Sequence, residues 1–215
     1  MKMEKEIKLV STPEGRGKLF SLPLIRERIL PGTEKIVELQ NVYYDTPDMA
    51  LTKAGLAYRI RQTNGKQWEV TIKTKGTIYN GVSQREEYTV PVTQPVPLWN
   101  GFSPEMDAKL YALLEGKSWE PFCIVAFTRH LALLDLGKGT QAELALDSGT
   151  IQAGENVEPL AEVELECKAG NMDAITAFVA KLQAMLPLQP ENRSKLARGL
   201  ALLDNPKNKS QKSEK

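Results

Sequence analysis

Histidine and cysteine, which carry much nucleophilic and transition-metal chemistry, are scarce: 215 residues contain one histidine and two cysteines. His130 has no second histidine or cysteine near it, so a Ser-His-Asp triad, a Cys-His pair or a zinc-histidine centre would rest on one unsupported residue. Cys123 and Cys167 show neither CxxC nor zinc-ligand spacing, which argues against a zinc ribbon and a thioredoxin-like motif. No run approaches the length of about 20 apolar residues that crosses a bilayer, and there is no GxxxxGK[ST] phosphate loop. The opening MKMEKE is charged where a secretory signal would be apolar, so the expected compartment is the cytoplasm, with free thiols and no membrane partner. A net charge of +1, from 28 basic and 27 acidic residues, predicts no nucleic-acid partner. The one clear basic run, NPKNKSQKSEK, lacks interleaved aromatics; residues 204–215 are expected to be a disordered tail behind a single domain at 1–203.

What the chain has in quantity is alternation. Period-2 segments recur at 3–10, 34–46, 56–63, 67–75, 84–92, 122–136, 141–148 and 159–168, most bounded by Gly, Pro or Asn. Four stretches between or after them read as helices. The first, from a Ser11 or Thr12 cap and Pro13 to Leu30, is broken by Gly15, Gly17 and Pro23. SPEMDAKLYALLEG runs from a Ser103 cap to Gly116, and NMDAITAFVAKLQAML carries an apolar stripe of Ile175, Phe178, Val179, Leu182 and Met185 up to Pro187. PENRSKLARGLALLD is a shorter last helix. Many strands with few helices imply α+β or a closed barrel.

Strand faces bear on that choice, because side chains at i, i+2 and i+4 share one face. Glu4, Glu6 and Lys8 oppose Ile7 and Leu9; Arg59 and Arg61 oppose Tyr58 and Ile60. Lys73 lies opposite Ile72, Arg85 and Glu87 share a face, and Arg129 alternates with His130. Glu143 and Asp147 oppose Leu144 and Leu146, and Glu162, Glu164 and Glu166 oppose Val163 and Leu165. Any one of these fits a solvated strand face. Together they differ from one, since several faces are nearly all acid or all base, and three glutamates at that spacing repel unless a cation sits among them. A sheet curled with these faces inward encloses a tunnel with a carboxylate side and a cationic side. Carboxylates without histidine or cysteine suit Mg²⁺ or Mn²⁺, and Arg and Lys suit phosphate oxygens. The ligand such an interior would hold is a metal-bound polyphosphate.

EKEIK, YYDTP at 43–47, LTKAGLAYRIR, TIK, QREEY, AELALDSG, EVELE and SKLARG resemble, in order, the blocks of the CYTH superfamily, the triphosphate tunnel metalloenzymes. The Leu usual in the LRxR block is Tyr58 here, on the face away from the inferred ligands. NVYYDTPD, QREEY and EVELECKAGN are most similar to bacterial inorganic triphosphatases in which a CYTH domain precedes a CHAD domain, which leaves open a CHAD domain in a longer parent chain.

The resemblance implies a closed eight-stranded antiparallel barrel with flanking helices, hydrolysing a small-molecule triphosphate with Mg²⁺ or Mn²⁺. It implies metal ligands among Glu4, Glu6, Glu164 and Glu166, with Glu162 on the same face and Glu143 and Asp147 near a second metal. Lys8, Arg59, Arg61, Lys73, Arg85 and Arg129 would grip phosphates, and Lys195 and Arg198 would close one end. The attacking water falls to a metal together with Lys8 or a carboxylate such as Glu87. Tripolyphosphate hydrolysis is the expected activity; class IV-type adenylyl cyclase, thiamine or nucleoside triphosphatase, and a polyphosphate-binding module without turnover are the alternatives. His130, Cys123 and Cys167 are expected to serve packing or surface roles.

Overall fold

A computed structural model describes residues 1–204; the predicted tail falls almost wholly outside the described residues. The chain begins with β1 (Lys2–Ser11), α1 (Pro13–Lys18), a 3₁₀ turn (Leu19–Ser21) and α2 (Pro23–Arg26). It continues through β2 (Lys35–Asp45), α3 (Ala50–Lys53), β3 (Leu56–Thr63), β4 (Gln67–Thr74), β5 (Thr77–Tyr79), β6 (Val82–Val92) and α4 (Pro104–Leu114). The second half holds β7 (Glu120–Gly137), β8 (Thr140–Ala153), β9 (Asn156–Ala169), α5 (Met172–Met185), β10 (Leu188–Pro190) and α6 (Lys195–Leu203). Strands pair antiparallel in the order β1-β9-β8-β7-β2-β3-β4-β6, and β6 pairs back to β1 with Glu4 opposite Arg85, closing an eight-stranded barrel. Closure leaves the ring no free edge. The three-residue β5 and β10, absent from the sequence reading, are short additions to β6 and β1.

Alternation sorts the strands into two environments. Outward Ile7, Leu9, Leu144, Leu146, Val163 and Leu165 pack with Ile175, Phe178, Val179 and Leu182 of α5. Tyr58, Ile60, Val70 and Ile72, outward on β3 and β4, pack with Met106, Leu110 and Leu114 of α4. The caps act as their residue types predict: Thr12 accepts from Gly15 N, Ser103 from Met106 N and Asn171 from Asp173 N. Met185 departs from the expected stripe and is exposed, because the helix ends there and Leu186, in extended conformation, turns into the core instead. His130 lies outside the barrel, stacked on Phe20. Among the described residues no helix is long and apolar enough to cross a membrane.

β8 runs to Ala153, beyond the predicted end near Gly149. Gly149 is no terminator. It faces Phe127 across the β7 pairing, where a methyl group would overlap the Ala126 carbonyl oxygen, so glycine permits the close approach of two strands.

The interior is apolar towards one end. Leu39, Cys123, Val125, Phe127, Ile151 and Leu160 share the inward parity of Asn41, Arg129, Asp147 and Glu162, and Leu196, Leu202 and Leu203 of α6 pack against them. α6 therefore stoppers the barrel, capped by Ser194, whose Oγ accepts from Ala197 N. Its Gly199 sits against Cys123, and burial there pushes the Cys123 thiol pKa up to about 12. A methyl at Gly199 would overlap Cys123 Sγ. Gly199→Ala is expected to lower stability in urea titrations by about 2 kcal/mol from overpacking, despite the roughly 1 kcal/mol gained in helix propensity. Adding Cys123→Ala should recover most of the loss; no recovery would place the strain elsewhere.

Candidate active site in the barrel interior

The inward faces converge on a cavity of about 230 Å³. That is smaller than the roughly 300–1,000 Å³ of pockets for drug-sized ligands and suits a compact ion. Its charged lining is Lys2, Lys8, Arg59, Arg61, Lys73, Arg85, Arg129, Lys168 and Lys195 against Glu4, Glu6, Glu87, Glu143, Glu164 and Glu166. Register places them: Glu6 lies opposite Glu166, Lys8 opposite Glu164, Lys73 opposite Glu87 and Glu143 opposite Glu166. The surplus is positive.

Two networks pair most of this charge. At the β1–β6 seam, Glu4 accepts from Lys73 Nζ at 2.8 and 2.9 Å and from Arg85 Nε at 2.7 Å, while Arg85 Nη2 reaches Glu6 at 3.0 Å. Burial opposes ionisation of Glu4, but Lys73 and Arg85 outweigh it and hold its pKa far below the carboxylate range. On the other side, Arg129 binds both oxygens of Asp147 at 2.7 and 2.8 Å and Glu164 at 2.5 Å. Lys195 Nζ lies 2.6 Å from Glu162, 2.7 Å from Glu164 and 2.9 Å from Asp147. Against burial, Asp147 and Glu164 keep the Lys195 pKa well above its usual value, and Lys195 and Arg129 keep Glu164 well below its own.

The remaining charge is unbalanced in two opposite ways. Arg59 is buried, its Nε has no partner among the described residues, and its ion pair with Glu87 spans 4.0 Å. Arg61 Nε donates to Asn41 Oδ1 at 2.8 Å, and burial together with the neighbouring Arg59 and Arg129 lowers its pKa to about 9. Burial and the charges of Arg85 and Arg59 also lower Lys73. Cations outnumber carboxylates on this part of the wall, where Glu87 serves both Lys73 and Arg59 and Glu69 stands 3.6 Å from Arg61. Around Glu6 the sign reverses: burial, then Glu164 and Glu4, raise its pKa despite Arg85.

The cavity thus brings together Glu4, Glu6, Lys8, Arg59, Arg61, Lys73, Arg85, Glu87, Arg129, Glu143, Glu164, Glu166 and Lys195. Asp147, Glu162 and Arg198 lie outside its lining. Asp147 and Glu162 are fully buried behind the wall, and Arg198 Nη1 is tied to Glu162 at 2.6 Å, so the guanidinium is already occupied. Lys8 Nζ donates to the Arg193 carbonyl at 2.9 Å. Sequence reasoning missed Lys2 and Lys168, although both continue the parity of an inward face; each bonds Glu166. It also missed Asn41, fully buried, with its Nδ2 unpartnered among the described residues.

Two acidic groupings bear on metal binding. Oxygens of Asp147, Glu162 and Glu164 lie within 4.8 Å of one another, but the Lys195 ammonium already supplies a cation to all three. Glu4, Glu6, Glu164 and Glu166 also offer only oxygen donors and are themselves ion-paired, but Glu6 is the least compensated of them, its pKa raised by burial and then by Glu164 and Glu4 against Arg85. That donor set fits a hard divalent cation.

The model of the CYTH domain family matches residues 2–200. An inorganic triphosphatase of Haemophilus influenzae is 30% identical over 206 residues, covering 94% of this chain and 55% of that protein. The chain thus spans about half the length of this curated relative. Among solved structures, a Hippeastrum protein described as a candidate adenylyl cyclase with a dominant triphosphatase activity superposes with a TM-score of 0.60, 18% identity, and coverage of 92% of this chain and 95% of its own. A candidate adenylate cyclase of Bacillus halodurans gives 0.58 at 21% identity, covering 92% and 98%. These likenesses concern the fold.

The two seam glutamates should respond oppositely to neutralisation. Glu6 has a raised folded-state pKa, so folding loses stability as pH rises from the unfolded value through the folded one, and Glu4 has the reverse linkage. In thermal melts at pH 8 with chelator, Glu6→Gln should match or exceed the wild-type melting temperature, its advantage shrinking as pH is lowered. Glu4→Gln should cost about 3 kcal/mol by stripping a charge partner from two buried cations. Equal losses in both variants would refute the assignment of opposite fields.

Proposed function

The chain belongs to the CYTH domain family, and from that premise we propose that it is a metal-dependent inorganic triphosphatase converting tripolyphosphate to pyrophosphate and phosphate. The observation that carries this reading is the buried Arg59 guanidinium, with an unpartnered Nε inside a cavity of surplus positive charge. An unmet buried donor costs about 1–3 kcal/mol, more when charged, and a polyanion would offset that cost. The named activity of the Haemophilus influenzae relative supports the same reading.

In this mechanism Arg59, Arg61, Lys73, Arg85 and Arg129 hold the phosphate oxygens, arginine offering paired donors that match them. Glu4, Glu6, Glu164 and Glu166 would hold Mg²⁺ or Mn²⁺, with Glu143 beside them. When bound, the cation neutralises phosphate charge and polarises the bond under attack. Lys8 would orient the attacking water or grip a phosphoryl oxygen. Glu87, kept ionised by Lys73 and Arg59 against the cost of burial, accepts from Lys73 at 2.9 Å and fixes that ammonium. Asp147 and Glu162 position Arg129, Lys195 and Arg198 from behind the wall. Water attacks the terminal phosphorus in line with the departing pyrophosphate, and the cations stabilise charge on the transferred group. The free thiols suit a cytoplasmic setting, and a CHAD domain in a longer parent chain is a further proposal drawn from the resemblance.

Purified protein with Mg²⁺ or Mn²⁺ should release phosphate and pyrophosphate from tripolyphosphate and lose that activity in chelator. Arg59→Ala should lower kcat/KM roughly 100-fold, the scale of removing one preorganised charge-stabilising donor. Cyclic AMP as the main product from ATP would replace the reading with a cyclase, and turnover of none of tripolyphosphate, ATP and thiamine triphosphate would leave a binding module.

A further inference from the structure

A second space of about 690 Å³ adjoins the first, with Lys8, Ala57, Lys73, Arg85, Ser194 and Leu196 bordering both. Its lining contains no aspartate or glutamate, in contrast to the six glutamates next door. It adds three cations of its own: Lys53 at the end of α3, Lys75 just past β4 and Arg193 before α6. Arg193 is held by Glu191 at 2.8 Å, but among the described residues Lys53 and Lys75 have no ion-pair partner. The NVYYDTPD motif shapes this wall. Asp45 is buried and accepts from Leu51 N and Thr52 N, each at 2.9 Å, and Thr46 Oγ1 accepts from Ala50 N, which anchors α3 and the turn carrying Lys53.

We propose that this vestibule binds the additional phosphates of a linear polyphosphate of four or more units while the tunnel holds the terminal ones. The inference rests on the triphosphatase reading of the tunnel. Lys8, Lys73 and Arg85 border both spaces, and beyond them the vestibule lining carries cations and no carboxylate, so a phosphate chain leaving the tunnel meets Lys53 and Lys75 next. A nucleoside tail is less well served, since the lining offers no aromatic ring for stacking and no carboxylate for sugar hydroxyls. The chemistry is unchanged: one water attacks the terminal phosphorus, the P–O–P bond breaks, and orthophosphate leaves with a chain one phosphate shorter. The water oxygen ends in orthophosphate and its proton is released to the products and buffer.

The test compares tripolyphosphate, tetrapolyphosphate, a longer polyphosphate and ATP at low salt, reading KM with Mg²⁺ and, in parallel, the dissociation constant by calorimetry. The longer inorganic chains should show values roughly tenfold below tripolyphosphate, an advantage that Lys53→Glu/Lys75→Glu removes and high salt erodes. Equal values for all chain lengths, with tripolyphosphate still hydrolysed, would overturn the vestibule and leave the triphosphatase standing. Failure to hydrolyse tripolyphosphate would sink the tunnel reading instead, and calorimetry would still decide whether chain length matters. A gain for ATP above that for tetrapolyphosphate, lost in the double variant, would assign the space to a nucleoside and overturn the proposal.

Discussion

Charge that is folded into a closed barrel must find its counter-charge inside. In this molecule every second residue of eight strands faces an interior largely shielded from water, and many of those residues are ionic. The effective penalty for burying an ion is several kcal/mol, repaid only by close and well-hydrogen-bonded partners. That requirement explains why Glu4 is shared by Lys73 and Arg85, and why Lys195 contacts three carboxylates. It also makes the exceptions informative: Arg59 and Glu6 are imperfectly compensated and of opposite sign, which is why the ligand we propose carries both signs.

The stopper helix belongs to the same balance. α6 brings an apolar side to the interior through Leu196, Leu202 and Leu203, and a cationic side through Lys195 and Arg198. Its hydrophobic contacts hold the two cations among Asp147, Glu162 and Glu164, and those ion pairs in turn hold the helix. Removal of either contribution would leave the other exposed to its full desolvation cost. The contact between Gly199 and Cys123 sets how deeply the helix seats, and therefore where Lys195 Nζ stands in the acidic group.

Alternation made the barrel wall legible in the sequence, because a period of two puts successive residues on opposite faces whatever the tertiary context. The Glu4-Glu6-Lys8 and Glu162-Glu164-Glu166 faces needed only that rule. Depth was not legible. Asp147 and Glu162 have the same parity as cavity residues but lie farther along the barrel axis, a position set by strand stagger and by where α6 ends. Gly149 read as a boundary because its role depends on a neighbouring strand. Asn41 gave no signal, since an amide in a strand looks like any polar residue until its partner, Arg61, is known. Lys53 gave no signal, and Lys75 shares the parity of Lys73 but reads as a solvated lysine at a strand end beside Gly76; the role proposed for them rests on the lack of acids in the space they line, which only the fold determines.

Strand order turns these individual charges into a polarised interior. β1, β9 and β8, which carry Glu4, Glu6, Glu164, Glu166 and Glu143, are consecutive around the ring. β2 brings Tyr43 between the Arg129 of β7 and the Arg59 and Arg61 of β3; β4 and β6 then add Lys73 and Arg85. Carboxylates therefore predominate on one arc, among Lys2, Lys8 and Lys168, and cations on the other, beside Glu87, and the two meet at the β1–β6 seam where Glu4 lies opposite Arg85. An anion alone would satisfy the basic arc and aggravate the acidic arc, and a divalent cation alone would do the reverse. In the function we propose, a cation already bound to a phosphate chain would match both arcs in one orientation, so the separation of charge across the interior would also select that ligand and align it.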